Sequence, residues 1–396
     1  MYQDMALITV FILMFSCVAG RVEKSWITGP IIFIFAGFLI GPLGLGWLSF
    51  KPDAPTIKLL AELTLALVLF NDAAGADLKI LRKSSSIPVR MLLIGLPLVL
   101  LSGFGVGVLL FDQLSLLEIG ILATILAPTD AALGQAVLKN DSVPADFRQG
   151  LNAESGLNDG MCVPILFLFL ALAAGGTGTG HGASDHLVLT LLAEELGIGL
   201  FVGITMVFFA SHLIQYAFMK KWVTKTWSQV YVFALAITSF TTAQAVGGSG
   251  FIAAFCGGLL FGYLLKNQRE ALLHSSEGIG DTFALITWVL FGAAAVGTSI
   301  PNLTWPIVVY SLLSLTLIRM LPIFISLLGT GVSLEGKVFL GWFGPRGLAS
   351  IVFAVIAINA NLPNSNTIVT TVVLTIVLSV VLHGITAKPW TNRWAK

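Results

Sequence analysis

The chain has 396 residues, of which 56% are apolar and only 10% charged, and its mean hydropathy is +0.94. A soluble globular domain carries about a quarter charged residues, so composition alone excludes one. The 21 basic residues stand against 20 acidic ones with no basic block, which excludes nucleic-acid binding.

The apolar residues come in runs, and about 17–25 such residues cross a bilayer as a helix. In chain order the runs predict spans at 5–20, 26–46, 57–74, 88–111, 115–138, 150–174, 187–217, 228–246, 249–265, 278–298, 304–328, 336–358 and 366–386. The expectation is an all-α polytopic membrane protein of about thirteen transmembrane helices. The first span is short, and Met1-Tyr2-Gln3-Asp4 lacks the basic region of a signal peptide, which predicts an uncleaved helix. The second is interrupted by Gly29-Pro30 and Gly41-Pro42. The longest polar linker is the glycine-rich Gly175–His186, and no cytosolic domain is expected. Cys17, Cys162 and Cys256 lie far apart in apolar runs, which predicts neither a disulfide nor a metal site.

Lys and Arg fall in alternate loops. Seventeen of the 21 lie on one side, among them Arg21, Lys24, Lys79, Arg82, Lys83, Lys139, Arg148, Lys220 and Lys388. The other side has Lys51 and Lys58, while Arg319 and Arg346 fall within spans. By the positive-inside rule this predicts an outer N-terminus and a cytoplasmic C-terminus. Span five contains Ala127-Pro128-Thr129-Asp130 and span twelve Phe343-Gly344-Pro345-Arg346-Gly347. Both put a proline beside a charge at mid-depth, seven spans apart. An odd offset means opposite topology, as in an inverted repeat whose paired broken helices carry the site.

Ionisable residues at membrane depth cost from ~2.5 to more than 10 kcal/mol, so they face a cavity or a partner. The candidates are Glu62, Asp130, Glu154, Asp159, Arg319 and Arg346. The densest group is Asn152-Ala153-Glu154-Ser155-Gly156-Leu157-Asn158-Asp159-Gly160. A helix places Ser155 and Asp159 on one stripe and Glu154 and Asn158 on the next. Such oxygen ligands suit a hard cation such as sodium, and desolvation disfavours a bare carboxylate, so one group can take either a proton or a metal cation. The bland alternative is a helix entry solvated at the interface behind Arg148.

Asp130 and Arg346 suit the exposed N-terminal and C-terminal ends of broken helices, whose partial charges they would compensate. Thr129 can offer its hydroxyl and carbonyl as cation ligands, while Asp130 can also be a cap with no transport role. Arg319 requires an anion, which the residues alone do not choose among the acidic candidates. Glu62 can pair with Arg319 or sit in a helix contact. His181, His186, His212, His274 and His383 read as loop or span-end residues, most simply at the surface.

Ala127-Pro128-Thr129-Asp130, the 152–160 string, Gly344-Pro345-Arg346-Gly347 and Gly248–Phe255 together resemble the monovalent cation/proton antiporters of the sodium/proton exchanger branch. The resemblance covers essentially the whole chain. It implies an inverted-repeat fold with two crossing broken helices, a mobile core (about 88–174 and 304–386) and a dimerisation scaffold (about 5–74 and 187–298). It implies sodium and protons competing for Asp159, with Thr129, Ser155 and Asp130 completing the site. Asn158 is similar to the asparagine of electroneutral members, and Glu154 would pair with Arg319. Na+ and H+ would be transported substrates, with no cofactor, in a homodimer in a prokaryotic inner membrane. The absence of a long cytoplasmic tail puts regulation by a nucleotide, calcium or a partner protein in doubt.

Three other functions compete. A potassium-selective antiporter differs only in cavity geometry, and a sodium-coupled organic-solute symporter needs a larger polar cavity. An intramembrane aspartyl protease would use Asp130 and Asp159 as its pair, but Gly-x-Gly-Asp is missing, as is the zinc-protease motif His-Glu-x-x-His.

Overall fold

The computed structural model describes residues 2–22, 28–48, 55–76, 87–176 and 185–394. Lys24, Lys51, Lys79, Arg82, Lys83, His181 and most of the Gly175–His186 linker lie outside them. All regular structure among the described residues is helical. The chain opens with α1 (Tyr2–Val22), α2 (Gly29–Ile40), α3 (Pro55–Gly75) and α4 (Ile87–Leu110). The first broken pair follows, α5 (Leu116–Ile125) and α6 (Gln135–Leu138). Next come α7 (Ala145–Gly176), α8 (Asp185–Met219), α9 (Lys225–Ala245), α10 (Gly250–Leu264) and α11 (Arg269–Asn302). Then α12 (Trp305–Leu315) and α13 (Leu317–Ser326) are divided at Thr316. The second broken pair is α14 (Leu334–Trp342) and α15 (Leu348–Asn359), and α16 (Ser365–Trp394) comes last.

Seven of the described stretches are long and apolar enough to cross a membrane. Large apolar side chains such as Leu13, Met14, Phe201 and Phe209 are exposed on α1 and α8, where lipid rather than water is their proper solvent. Lipid gives helices no hydrophobic reason to associate, so close backbone approach takes over. Gly258 and Gly262 of α10 lie against the carbonyls of Phe70 and Ala74 in α3, and Gly203 of α8 lies against Ala253 of α10. In each case an added Cβ would meet backbone, which locks α3, α8 and α10 into one unit.

Several spans depart from the sequence expectation. The 26–46 segment is not broken at its Gly-Pro pairs but bounded by them. Pro30 sits in the first turn of α2, where its missing N–H costs nothing, and Gly41 ends the helix. The span expected at 278–298 starts at Arg269, because its first turns carry Arg269, Glu270, Glu277 and Asp281 and read as polar. The 150–174 span starts at Ala145 and the 366–386 span extends to Trp394, where Trp390 and Trp394 pack on Phe339.

Candidate functional site

α5 starts with a capping box between Ser115 and Glu118 and ends at Ile125. Pro128, which lacks an N–H and bars the residue before it from helical geometry, lies just beyond. Pro345 does the same between α14 and α15. Backbone groups released at membrane depth must find partners within the protein, and here the two unwound stretches supply each other. The Asp130 N–H donates to the Pro345 carbonyl at 2.8 Å. The Leu348 N–H donates to Asp130 Oδ2 at 2.9 Å, and the Ala132 and Leu133 N–H groups donate to Oδ1 at 2.8 and 3.2 Å. Asp130 thus faces the N-terminal end of α15. Arg346 faces the carbonyl end of α5, donating through Nη1 to Ala127 O at 2.5 Å and Pro128 O at 3.1 Å. The approach is so close that a Cβ on Gly347 would fall on the Asp130 carboxylate.

α7 passes beside this crossover. Thr129 Oγ1 lies 2.9 Å from Ser155 Oγ and accepts a hydrogen bond from Asn158 Nδ2 at 2.7 Å. Asp159 sits one turn beyond Ser155. Asn158 Oδ1 and Asp159 Oδ1 are both buried without a hydrogen-bond donor among the described residues. Glu154 points elsewhere, taking a two-pronged contact from Arg319 of α13 at 2.5 and 2.7 Å. Both side chains are 1% exposed. The mid-depth carboxylates therefore divide by environment. Glu154 is neutralised by Arg319, Asp130 is occupied by three backbone N–H groups, and Asp159 keeps an acceptor oxygen open. No group of three or more His, Cys, Asp or Glu among the described residues is placed to hold a metal ion, so the donor set here is mixed, carboxylate with hydroxyl and amide oxygens.

Asp159 and Asp130 line a cavity of about 670 Å³ between α7 and the pair α3 and α11. Its walls carry Asn71, Asp72, Glu277 and Asp281, and Lys139, Arg148 and Gln149 also border it. Farther along α3, α11 and α15 the lining turns apolar, with Leu60, Ala61, Phe291, Ala354 and Val355 around a void of only about 50 Å³. Leu60 lies twelve residues from Asp72, which is about 18 Å of helix. One side of the site is thus wide and hydrophilic, and the other is closed by hydrocarbon.

Glu62 does not meet Arg319. It lies 3.8 Å from Lys58, one turn earlier on α3, a pairing set by helical spacing. His212 and His274 are exposed, but His383 is buried at 3% exposure inside the bundle, because α16 continues well past the expected span end. Asp72, absent from the sequence candidates, stands half-buried on the cavity wall, with its Cβ next to Gly156 of α7. Its signal was the polar pair Asn71-Asp72 interrupting an apolar helix.

The fold is similar to that of the solved sodium proton antiporter MjNhaP1 from Methanocaldococcus jannaschii, with a TM-score of 0.77 at 21% identity over 96% of this chain and 98% of that one. Among curated relatives, the K(+)/H(+) antiporter NhaP2 of Shewanella sp. (strain MR-4) is 24% identical over 85% of this chain and 57% of its own length. The Na(+)/H(+) antiporter of Saccharomyces cerevisiae is 26% identical over 89% of this chain and 37% of its own. The chain thus spans little more than half of the one curated relative and less than half of the other. The family model described as sodium/hydrogen exchanger, transmembrane, matches residues 6–393. With the match running from α1 to the last turn of α16, the chain belongs to the sodium/hydrogen exchanger family.

Proposed function

We propose that the chain exchanges Na+ for H+ across a membrane, one for one, with both ions competing for Asp159. The observation that carries this reading is the division of the three carboxylates, which leaves Asp159, alone of the three, with an unpaired oxygen beside a cavity lined by polar side chains. Ser155, Thr129 and Asn158 supply neutral oxygens beside it, enough to replace part of a cation's water. Asp72, Glu277 and Asp281 on the walls raise the local cation concentration by simple attraction.

The mechanism follows from charge. A carboxylate at this depth is costly when bare, so the site crosses the membrane readily with a proton or a cation on Asp159 and poorly with neither. Exchange is then obligatory and moves no net charge. Movement of a core, about 88–174 and 304–386, against a scaffold, about 5–74 and 187–298, would close the cavity beside Asp72 and open the apolar side. The cavity opens on the side of Lys139 and Arg148, which the distribution of basic residues assigns to the cytoplasm.

A second reading, K+ for H+, is favoured by the likeness to the K(+)/H(+) antiporter NhaP2 of Shewanella. Proton flux in proteoliposomes against pulses of Na+, Li+ and K+, with the membrane potential clamped, separates the two. Na+ and Li+ are expected to drive flux that is indifferent to the potential, and the apparent cation affinity is expected to weaken as pH falls. The sign follows from competition: below the titration range of the carboxyl, each pH unit requires about tenfold more cation to displace the proton. Flux with K+ alone would replace Na+ by K+, and an affinity independent of pH would remove the shared site.

A further inference from the structure

The stretch Phe343–Gly347 has left the helix, yet it and the preceding Trp342 are held from α16 by a stripe of three polar side chains, Ser379, His383 and Thr386, at i, i+4 and i+7. Ser379 Oγ accepts the Arg346 backbone N–H at 2.7 Å. His383 Nε2 lies 2.8 Å from the Trp342 carbonyl, the last of α14, and Nδ1 lies 3.2 Å from Ser379 Oγ and 2.8 Å from Ser379 O. The Trp342 indole donates to Thr386 Oγ1 at 2.9 Å.

Each ring nitrogen lies 2.8 Å from a backbone carbonyl, Nε2 from that of Trp342 and Nδ1 from that of Ser379, and a carbonyl only accepts. Whichever nitrogen carries the hydrogen, the ring bridges the last carbonyl of α14 to Ser379, whose hydroxyl oxygen accepts the Arg346 N–H.

We infer that His383, by bridging the end of α14 to Ser379, is a positioning residue for the cation site. Through Ser379 it fixes the backbone of Arg346, and the Arg346 guanidinium fixes the carbonyls of Ala127 and Pro128 immediately before Thr129. His383 touches neither Asp159 nor the transported ion in this arrangement. It sets the place of a hydroxyl and a carbonyl that surround the ion. The functional half of this inference rests on the exchange reading above; the relay itself does not.

The test uses the full chain with His383→Leu, which keeps apolar bulk and loses both nitrogens, and His383→Gln, whose amide can still donate to Trp342. In proteoliposomes, His383→Leu is expected to raise the apparent Km for Na+ on the order of tenfold, the scale of a lost buried hydrogen bond, with the maximal rate per folded protein little changed. His383→Gln is expected to restore most of the affinity. Amide hydrogen exchange across 343–347 is expected to quicken in His383→Leu and to stay slow in His383→Gln, whether or not the protein transports anything. A His383→Leu variant that loses only maximal rate at unchanged Km, or that keeps wild-type amide protection, overturns the inference. Absence of flux in the wild type alongside the expected amide pattern would instead overturn the exchange reading and leave the relay standing.

Discussion

Asp159→Asn is expected to abolish cation-driven proton flux, down to the level of empty vesicles, while the protein still folds. Asparagine keeps the size of the side chain and one oxygen, so a cation still meets part of its donor set. It has no proton to release at any accessible pH and no charge to balance the ion. Folding is expected to be spared because Asp159 Oδ1 has no hydrogen-bond donor among the described residues, so no buried partner is left without an acceptor there. Removing a charge from a buried side chain even lowers the cost of the folded state. A thermal-unfolding midpoint near or above the wild-type value, measured on the same preparation, distinguishes loss of exchange from loss of protein. Residual flux above background would show that another group carries the proton.

Breaking the Glu154–Arg319 pair from one side is expected to destabilise the protein by about 3–5 kcal/mol, because it strands a buried charge. The effect should be large here because both side chains are almost fully enclosed and the contact is two-pronged. The position also matters. Arg319 lies directly beneath Gly344, where an added Cβ would overlap the guanidinium, so the pair joins α7 and α13 under the unwound stretch. Arg319→Leu and Glu154→Leu are each expected to lower the unfolding midpoint and the yield of folded protein. The double variant is expected to recover much of the loss, since two apolar groups leave no orphaned charge. Equal midpoints for the wild type and both single variants would show that the pair contributes nothing to holding these helices together.

Much of this architecture was legible in the residues, and the reason differs from place to place. Proline beside a charge at mid-depth marked both unwound stretches, because an apolar helix offers no other reason for Asp130 or Arg346. The 152–160 string fixed which side chains share a helical stripe, and the structure brings Ser155 and Asn158 together with Thr129. What could not be read depended on which helices meet. Arg319 had several possible anions until the packing of α7 on α13 selected Glu154. Asp72 was not among the candidates, because nothing in the residues shows that its end of α3 forms a cavity wall. The first turns of α11 read as a loop, since a charged face turned toward a polar cavity lowers local hydropathy as a surface does. His383 was placed at the surface because α16 was ended too early. The i, i+4, i+7 spacing of Ser379, His383 and Thr386 within an apolar helix was the available signal that it faces a partner.

The central idea is that one carboxyl trades its proton for a cation, and the most direct measurement is the number of protons released when cation is added to purified protein in weakly buffered detergent solution. Titration with Na+ above the pH at which the cavity is fully protonated is expected to release up to one proton per cation bound in the wild type and none in Asp159→Asn. Saturable cation binding with no proton release from the wild type, or the same release from Asp159→Asn, would contradict it.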